Sequence, residues 1–241
     1  MANEGTANFG QYNGPLILEA LEDGRLMKLT QPFGFVDAHR KTWSVPAGAK
    51  VDGASIPRAL WTLIGGPFEG KYRHASVVHD YYCDTRTEPW KAVHRVFYDG
   101  MRASGVSEIR AKLMYAAVYF GGPDWADSTV DNNRLTRNSG LKTFSGHQPT
   151  RFHKGVAAAI STQGVPTHKA LTNSRSMHAT PPQTTLDLAQ LESLIAQENP
   201  SLDDIDDALD DAAHRQALPV GVKAPAVVRA LNLGSVSHDA D

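Results

Sequence analysis

Two histidines, an aspartate and the chain's single cysteine lie within one short stretch, YRHASVVHDYYCD, which spans residues 72–84. His79 is followed directly by Asp80, and Cys83 comes four residues after His79. Residues four apart on an α-helix share a face, whereas adjacent residues diverge by about 100°. The stretch therefore predicts a helix on which His79 acts with Cys83 or, at the edge of a pocket, with Asp80. His74 is expected to point elsewhere.

A third histidine lies on the inward face of the next predicted helix, Pro89–Gly105. The apolar stripe of this helix is spaced by three and four residues: Trp90, Val93, His94, Phe97 and Met101. An imidazole on such a face needs a hydrogen-bonding partner. Because the loop over residues 84–88 is short, the two helices can pack antiparallel. We therefore expect His94 to lie near His79 or Asp80.

Asp52 adds a second carboxylate, shortly before a predicted helix cap at Ser55. Two histidines and two aspartates from a loop and two helices would suit a divalent metal such as zinc, with His79, His94 and Asp80 as ligands and an open position. The same three residues together with Asp52 would also suit a metal-free catalytic site that works by acid/base chemistry. Structural roles are the alternative, with Asp52 shaping a turn, Ser55 capping a helix and His79 buried as a satisfied core histidine.

Cys83 is interpreted as a small buried hydrophobic residue, which is the usual role of a single cysteine in an apolar helix. A cysteine nucleophile needs an activated thiolate close to a base, and only a neighbouring histidine offers one. Arg58 and Arg73 are candidates for holding an anionic substrate group, although surface arginines are usually solvated. Ser55 is a further candidate for substrate binding.

The elements around these residues predict an α+β fold, with a small N-terminal antiparallel β-sheet, a helical bundle and a C-terminal helical extension. Residues 15–52 carry short apolar runs and turn signals that are typical of strands. Helices are predicted in SIPRALWTLIG, from Tyr72 to Cys83, from Pro89 to Gly105 and from Val106 to Phe120. The last helix is predicted to bury one face: Ile109, Leu113, Ala116 and Phe120.

The composition divides the chain into five segments. Residues 1–14 are a polar N-terminal arm, 15–125 the α+β core domain, 126–185 a polar extended or partly disordered segment, 186–218 an acidic amphipathic helical hairpin and 219–241 a tail. The second helix of the hairpin carries six aspartates opposite its apolar side. A hairpin this short must pack on the core or on a partner.

The bulk composition excludes several classes of protein. The 241-residue chain has a formal net charge of −2 and a pI of about 6.5. No global positive field would draw it to nucleic acid. One cysteine excludes an internal disulfide framework. We find no Sec-type signal peptide and no apolar window near the roughly 18 residues of a membrane span. We therefore expect synthesis in a cytoplasm, with transport by other machinery if the protein acts elsewhere.

Four stretches together resemble a domain of unknown function that is widespread in tailed phages and prophages and also occurs beside contractile-injection genes: VPAGAKVDGASIPRALW, YRHASVVHDYYC, FYDGMRASGV and AKLMYAAVYFGGPDW. The resemblance covers roughly residues 24–125, and DGASIPR with HDY carries it. It implies no established activity. The residues that match the family motif are Asp52, Ser55, Arg58, His79 and Asp80. This chain has His94 where the family usually has a carboxylate.

The genomic setting that the resemblance implies favours a target in the bacterial envelope. The first hypothesis is a hydrolase of a phage or contractile-injection system, type VI secretion effectors included. It would cleave above all a peptide or amide bond of peptidoglycan. In it a metal ion or His79 activates water, an aspartate orients the imidazole and an arginine holds a substrate carboxylate. Such a protein would be delivered to a target-cell periplasm or carried in a virion.

Two alternatives stay open. The first is a non-enzymatic phage tail or baseplate accessory, or a secreted cargo protein, in which Asp80 braces the DGAS loop. The second is a phosphohydrolase of the His-Asp helical class, although the first histidine of that class should come from a separate helix. The acidic C-terminal helices would bind an immunity protein, a chaperone, the phage or injection machinery, or the core itself. The envelope hypothesis adds a cell-wall component as the substrate partner.

Overall fold

The computed structural model describes residues 8–52, 70–125, 150–163, 183–215 and 226–229. Six strands precede the first described helix and the longer helices follow, which confirms the predicted α+β class. Ser55, Arg58 and the predicted helix SIPRALWTLIG lie outside the described residues. Within the described ranges, no helix is both long and apolar enough to cross a lipid bilayer.

The strands that precede the first described helix form two small antiparallel sheets rather than one. Their bounds are β1 Gly10–Asn13, β2 Leu18–Ala20, β3 Met27–Leu29, β4 Phe33–Asp37, β5 Thr42–Val45 and β6 Lys50–Val51. The strand orders are β1-β4-β5 and β2-β3-β6. β1 lies within residues 1–14, which the sequence predicted to be an arm. That prediction is wrong at Gly10–Asn13, because this backbone pairs with β4.

Three helices follow, with bounds close to those predicted: α1 Arg73–Thr85, α2 Trp90–Ala103 and α3 Glu108–Gly121. α1 ends where Arg86 adopts a left-handed conformation and its backbone N–H donates to the carbonyl of Tyr82. The short connection then returns the chain along α1, so α1 and α2 pack as an antiparallel pair. One hydrophobic cluster fills the space between this pair and the two sheets.

α3 is buried on all sides. Every residue from 111 to 119 is buried, including Lys112, which is 5% exposed. The predicted single apolar face is therefore wrong at its ends, since Ile109 is 40% exposed and Phe120 is only partly buried. The reason is tertiary, because α2 covers one side of α3 and C-terminal helices cover the other.

The C-terminal part of the chain holds more regular structure than its composition predicts. Its elements are α4 Arg151–Ala159, β7 Ile160–Gln163, β8 Gln183–Asp187, α5 Leu188–Glu198, α6 Leu202–Arg215 and β9 Ala226–Arg229. β7, β8 and β9 form a third sheet, in which β8 and β9 run parallel. α4, β7 and the start of β8 thus lie within the predicted extended or partly disordered segment 126–185, and β9 lies within the predicted tail 219–241.

The predicted helical hairpin is present and packs on the core. Its first helix begins at Leu188 rather than 186, because the Asp187 carboxylate caps it by accepting from the backbone N–H groups of Ala189 and Gln190. The apolar side chains of α5 and α6 join the cluster around α3: Leu188, Leu191, Ile195, Ile205 and Leu209. The sequence left open whether these helices bind a partner or the core, and the structure shows them packed on the core.

Candidate metal centre between α1 and α2

His79 on α1 and His94 on α2 lie against each other in the protein interior. His79 Nε2 and His94 Nδ1 are 2.8 Å apart, and both side chains are 0% exposed. One ring donates a hydrogen bond to the other, and the tautomers decide which. The predicted proximity of these two histidines is confirmed, since the antiparallel pairing of α1 and α2 brings them together.

Cys83 brings a sulfur atom to the same place. Its Sγ lies 3.6 Å from His79 Nε2 and 3.8 Å from His79 Nδ1, and the residue is 3% exposed. One donor atom from each of His79, Cys83 and His94 lies within 4.8 Å of the others. The interpretation of Cys83 as a small buried hydrophobic residue is therefore incomplete. Its spacing of four residues from His79 was the signal for this contact.

Burial sets the charge of the cluster. Desolvation lowers the pKa of His79 to about 3, so this imidazole is neutral at physiological pH. The neutral imidazole is the form that binds metals. It is also the form that fails to stabilise a neighbouring thiolate, which a cysteine nucleophile requires. The electrostatics therefore favour metal binding over a Cys–His nucleophile pair.

Two of the three donor separations can be compared with those of a zinc site. With Zn–N near 2.0–2.1 Å and Zn–S near 2.3 Å, a tetrahedral site separates N from S by about 3.6 Å and N from N by about 3.3 Å. The Cys83–His79 distance already has the first value. The 2.8 Å between the histidines is shorter, so an ion in place of their hydrogen bond requires the rings to separate by about half an ångström.

The predicted aspartates have other contacts. Asp80 is 1% exposed, and its Oδ2 accepts a hydrogen bond of 2.8 Å from the backbone N–H of Asp52. Asp52 Oδ2 lies 3.0 Å from an amino group of the Arg25 guanidinium. Burial and the charges of Asp80 and Asp52 raise the pKa of Asp84. The donor cluster formed by the described residues thus contains Cys83 where the sequence predicted Asp80.

The remaining predicted site residues do not join this cluster among the described residues. Arg73 is exposed in the first turn of α1, about 9 Å along the helix axis from His79. His74 packs on aromatic rings of the first sheet, as expected from its different direction. Ser55 and Arg58, the other substrate-binding candidates, fall in the part of the chain that is not described.

A second polar cluster, which is partly buried and which the sequence did not predict, joins α6 to α2 and α3. We call it the acidic latch, and its members are Lys91, Arg95, Tyr115, Tyr119, Asp203, Asp206 and Asp210. Asp206 accepts hydrogen bonds from Arg95 at 2.8 Å and from Tyr115 at 2.5 Å. Asp210 accepts from Tyr119 and from Lys91, each at 3.0 Å. Burial raises the pKa values of Asp206, Tyr115 and Tyr119.

Comparisons with known proteins place the donor cluster in a region shared with proteins of unknown function. Residues 27–118 match the model of a family described as "Protein of unknown function (DUF1353)". The chain is 44% identical over 140 residues to "Uncharacterized protein y4jT" of Sinorhizobium fredii, which is 58% of this chain and 41% of that protein. It is 47% identical over 97 residues to "Uncharacterized protein y4iH" of the same organism, which is 40% of this chain and 41% of that protein.

The chain thus spans about two fifths of the length of these curated relatives. No solved structure matches it. All three donors lie within the matched region, whereas α4, α5 and α6 lie beyond it. The resemblance of the core to a family of unknown function is supported by this match.

Proposed function

We propose that the core is a metal-dependent hydrolase domain in which His79, Cys83 and His94 hold one transition-metal ion, with zinc the best fit. The observation that carries the proposal is the set of three buried nitrogen and sulfur donors within 4.8 Å of one another. Nitrogen and thiolate ligands select zinc-like ions over magnesium or calcium. With three protein ligands, a bound zinc ion keeps a fourth position for water and acts as a Lewis acid.

The chain's own residues prepare this site in two ways. Burial keeps His79 neutral, so that protons do not compete with a metal for its nitrogen above about pH 3. The rings of Phe97 and Trp90 pack on the two histidines at centroid distances of 4.7 and 5.4 Å. These rings exclude water from behind the donors and limit how far the imidazoles rotate.

The envelope substrate is the part of the proposal that rests on the sequence motifs rather than on the geometry. The resemblance of DGASIPR and HDY to a phage and injection-system family supports a target in the bacterial envelope, above all a peptide or amide bond of peptidoglycan. Asp80 lies on α1 next to His79, and its carboxylate accepts from the backbone N–H of Asp52; these two aspartates are the candidates for a general base. This assignment is an analogy from motif and setting.

Elemental analysis of protein purified without chelator tests the metal site. We expect about one equivalent of zinc per chain in the wild type and a loss of most of it in His94→Ala. His39→Ala is the matched control, because His39 is exposed and is not one of the three donors. Equal metal content in all three proteins, or none in the wild type, would contradict the proposed site.

Incubation with purified sacculi tests the hydrolase. We expect soluble fragments to be released by the wild type, and release to stop with a chelator, with His79→Ala or with Cys83→Ser. Substrate digestion that survives all three treatments would exclude a role for this cluster in hydrolysis. A metal-loaded protein that releases no fragment from sacculi or from amide and peptide model substrates would contradict the hydrolase proposal and leave the metal site intact.

A second candidate function is favoured by two observations. The three donors are almost completely buried, and Asp80 braces the backbone at Asp52, where the DGAS motif begins. Both features suit a non-enzymatic phage tail or baseplate accessory, or a secreted cargo protein, in which the cluster stabilises the fold. His79→Ala would then lower the melting temperature strongly, and the wild type would show no hydrolysis under any metal condition.

A further inference from the structure

A continuous series of side-chain contacts leads from α6 to the donor cluster. The Asp210 carboxylate accepts a 3.0 Å hydrogen bond from Tyr119 Oη. The Tyr119 ring lies 5.0 Å from the Trp90 ring, and the Trp90 ring lies 5.4 Å from the His94 ring, nearly edge to face. His94 in turn contacts His79. α6 is thus connected to a proposed metal ligand through two aromatic side chains.

Asp210 fixes this series from two sides. Its second carboxylate oxygen accepts from Lys91 Nζ at 3.0 Å. The Lys91 ammonium lies over both aromatic rings, 5.3 Å from the centre of Trp90 and 5.2 Å from that of Tyr119. Both groups that contact Trp90 here, Lys91 and Tyr119, are therefore bonded to Asp210 of α6. Trp90 in turn packs on the His94 ring.

The placement of residues along α2 strengthens this connection. His94 faces α1, whereas its neighbour Arg95 faces α6 and donates to Asp206. One helix therefore contributes to both clusters, and the position of α2 between α1 and α6 bears on the His94–His79 separation as well as on the Arg95–Asp206 hydrogen bond. Since the two imidazoles must separate by about half an ångström around an ion, a small change in the His94 position changes the affinity for metal.

We propose that docking of α6 and occupancy of the donor cluster are coupled, with Asp210 acting through Tyr119 and Trp90 as a positioning residue for His94. This inference rests on the proposed metal site. It assigns the C-terminal helices, which lie outside the family match, a regulatory role toward the core. Because coupling between two sites is reciprocal, an ion in the cluster also tightens the docking of α6.

Titration of the full-length chain with cobalt(II), followed by its visible absorption, tests the coupling. We expect Asp210→Asn to raise the dissociation constant about fivefold and Trp90→Ala about tenfold. Asp207→Asn is the matched control, since Asp207 is an exposed aspartate on the same helix, and its constant should stay within about twofold of the wild type. Equal constants for Asp210→Asn and Asp207→Asn would overturn the coupling while leaving the metal site standing.

A milder variant and a reciprocal measurement distinguish a loss of coupling from a loss of folding. Tyr119→Phe keeps the ring and removes only the hydroxyl that donates to Asp210, and we expect it to weaken cobalt binding in the same direction. Saturating cobalt should slow backbone hydrogen exchange in α6 of the wild type but not of His94→Ala. Unchanged exchange in a wild type that binds cobalt would overturn the coupling, and a wild type that binds no cobalt would overturn both proposals.

Discussion

The donor cluster is buried and the acidic latch is only partly buried, and the two are built from opposite kinds of groups. The cluster gathers two imidazoles and a sulfur, and desolvation keeps His79 neutral. The latch gathers carboxylates with cations and hydroxyl groups, so that Asp206 and Asp210 each accept from two partners. The two clusters share α2 and lie on different faces of it.

The contrast is between donor atoms that suit a metal ligand set and charged groups whose hydrogen bonds are made to one another. Buried charges are tolerated when opposite charges and hydrogen bonds compensate them, as in the latch. In the donor cluster the two imidazoles share one hydrogen bond, and the Cys83 sulfur lies 3.6 Å from His79 Nε2. Three electron-pair donors at that spacing suit a cation. The latch is accordingly expected to govern stability, and the donor cluster to govern binding.

The largest expected effect is metal-linked stabilisation. At a free zinc concentration one hundred times the dissociation constant, the wild type should gain about 2.7 kcal/mol in the free energy of unfolding. Cys83→Ser should lose most of this gain, because a hydroxyl is a poor substitute for a thiolate ligand. Urea unfolding with and without zinc measures both values. Equal gains in the two proteins would show that zinc binds somewhere other than the cluster.

The next effect comes from the latch. Asp206→Ala should lower the free energy of unfolding by about 2 kcal/mol, because it leaves the buried Tyr115 hydroxyl without its acceptor and removes a partner of Arg95. Asp203→Ala should cost less than about 0.5 kcal/mol, since the Asp203 side chain is 83% exposed although it also pairs with Arg95. Similar losses for the two variants would contradict the importance of burial.

The smallest effect concerns Asp99 on α2. Burial, with the charge of Asp37, raises the pKa of Asp99 to about 6 from 3.8. A raised pKa means that the folded state holds the proton more tightly, so stability present below pH 3.8 is lost as pH rises through about 6. Asp99→Asn should remove this loss, a gain of about 1 kcal/mol at pH 7 after discounting for partial exposure. Parallel pH–stability curves for the two proteins would contradict the assignment.

The parts of the molecule that were predictable are those fixed by local spacing. The inward stripe of α2 and the short loop before it were enough to place His94 beside His79. Asp80 and Asp52 were correctly brought near each other, but through a side-chain contact with backbone rather than a shared site. Cys83 was set aside on the usual behaviour of single cysteines, although its spacing from His79 was visible in the sequence.

The parts that were missed depend on contacts between distant segments. The acidic latch joins side chains about ninety residues or more apart, and no local pattern pairs a given aspartate with Tyr115 or Arg95. β1 was missed because Gly10–Asn13 is short and polar, and its strand conformation comes from pairing with β4. α4 has only Phe152, Val156 and Ala159 as its buried positions, too few to stand out within a polar segment.

The burial of residues 111–119 of α3 determines where the protein can be cut into stable fragments. The family match ends at residue 118, inside this helix, yet the side of α3 away from α2 is covered by α5 and α6. A fragment cut at the end of the match would present an apolar helix surface to water and should aggregate. The smallest soluble fragment is therefore expected to extend through Arg215, so the unit that folds is longer than the region that the family model matches.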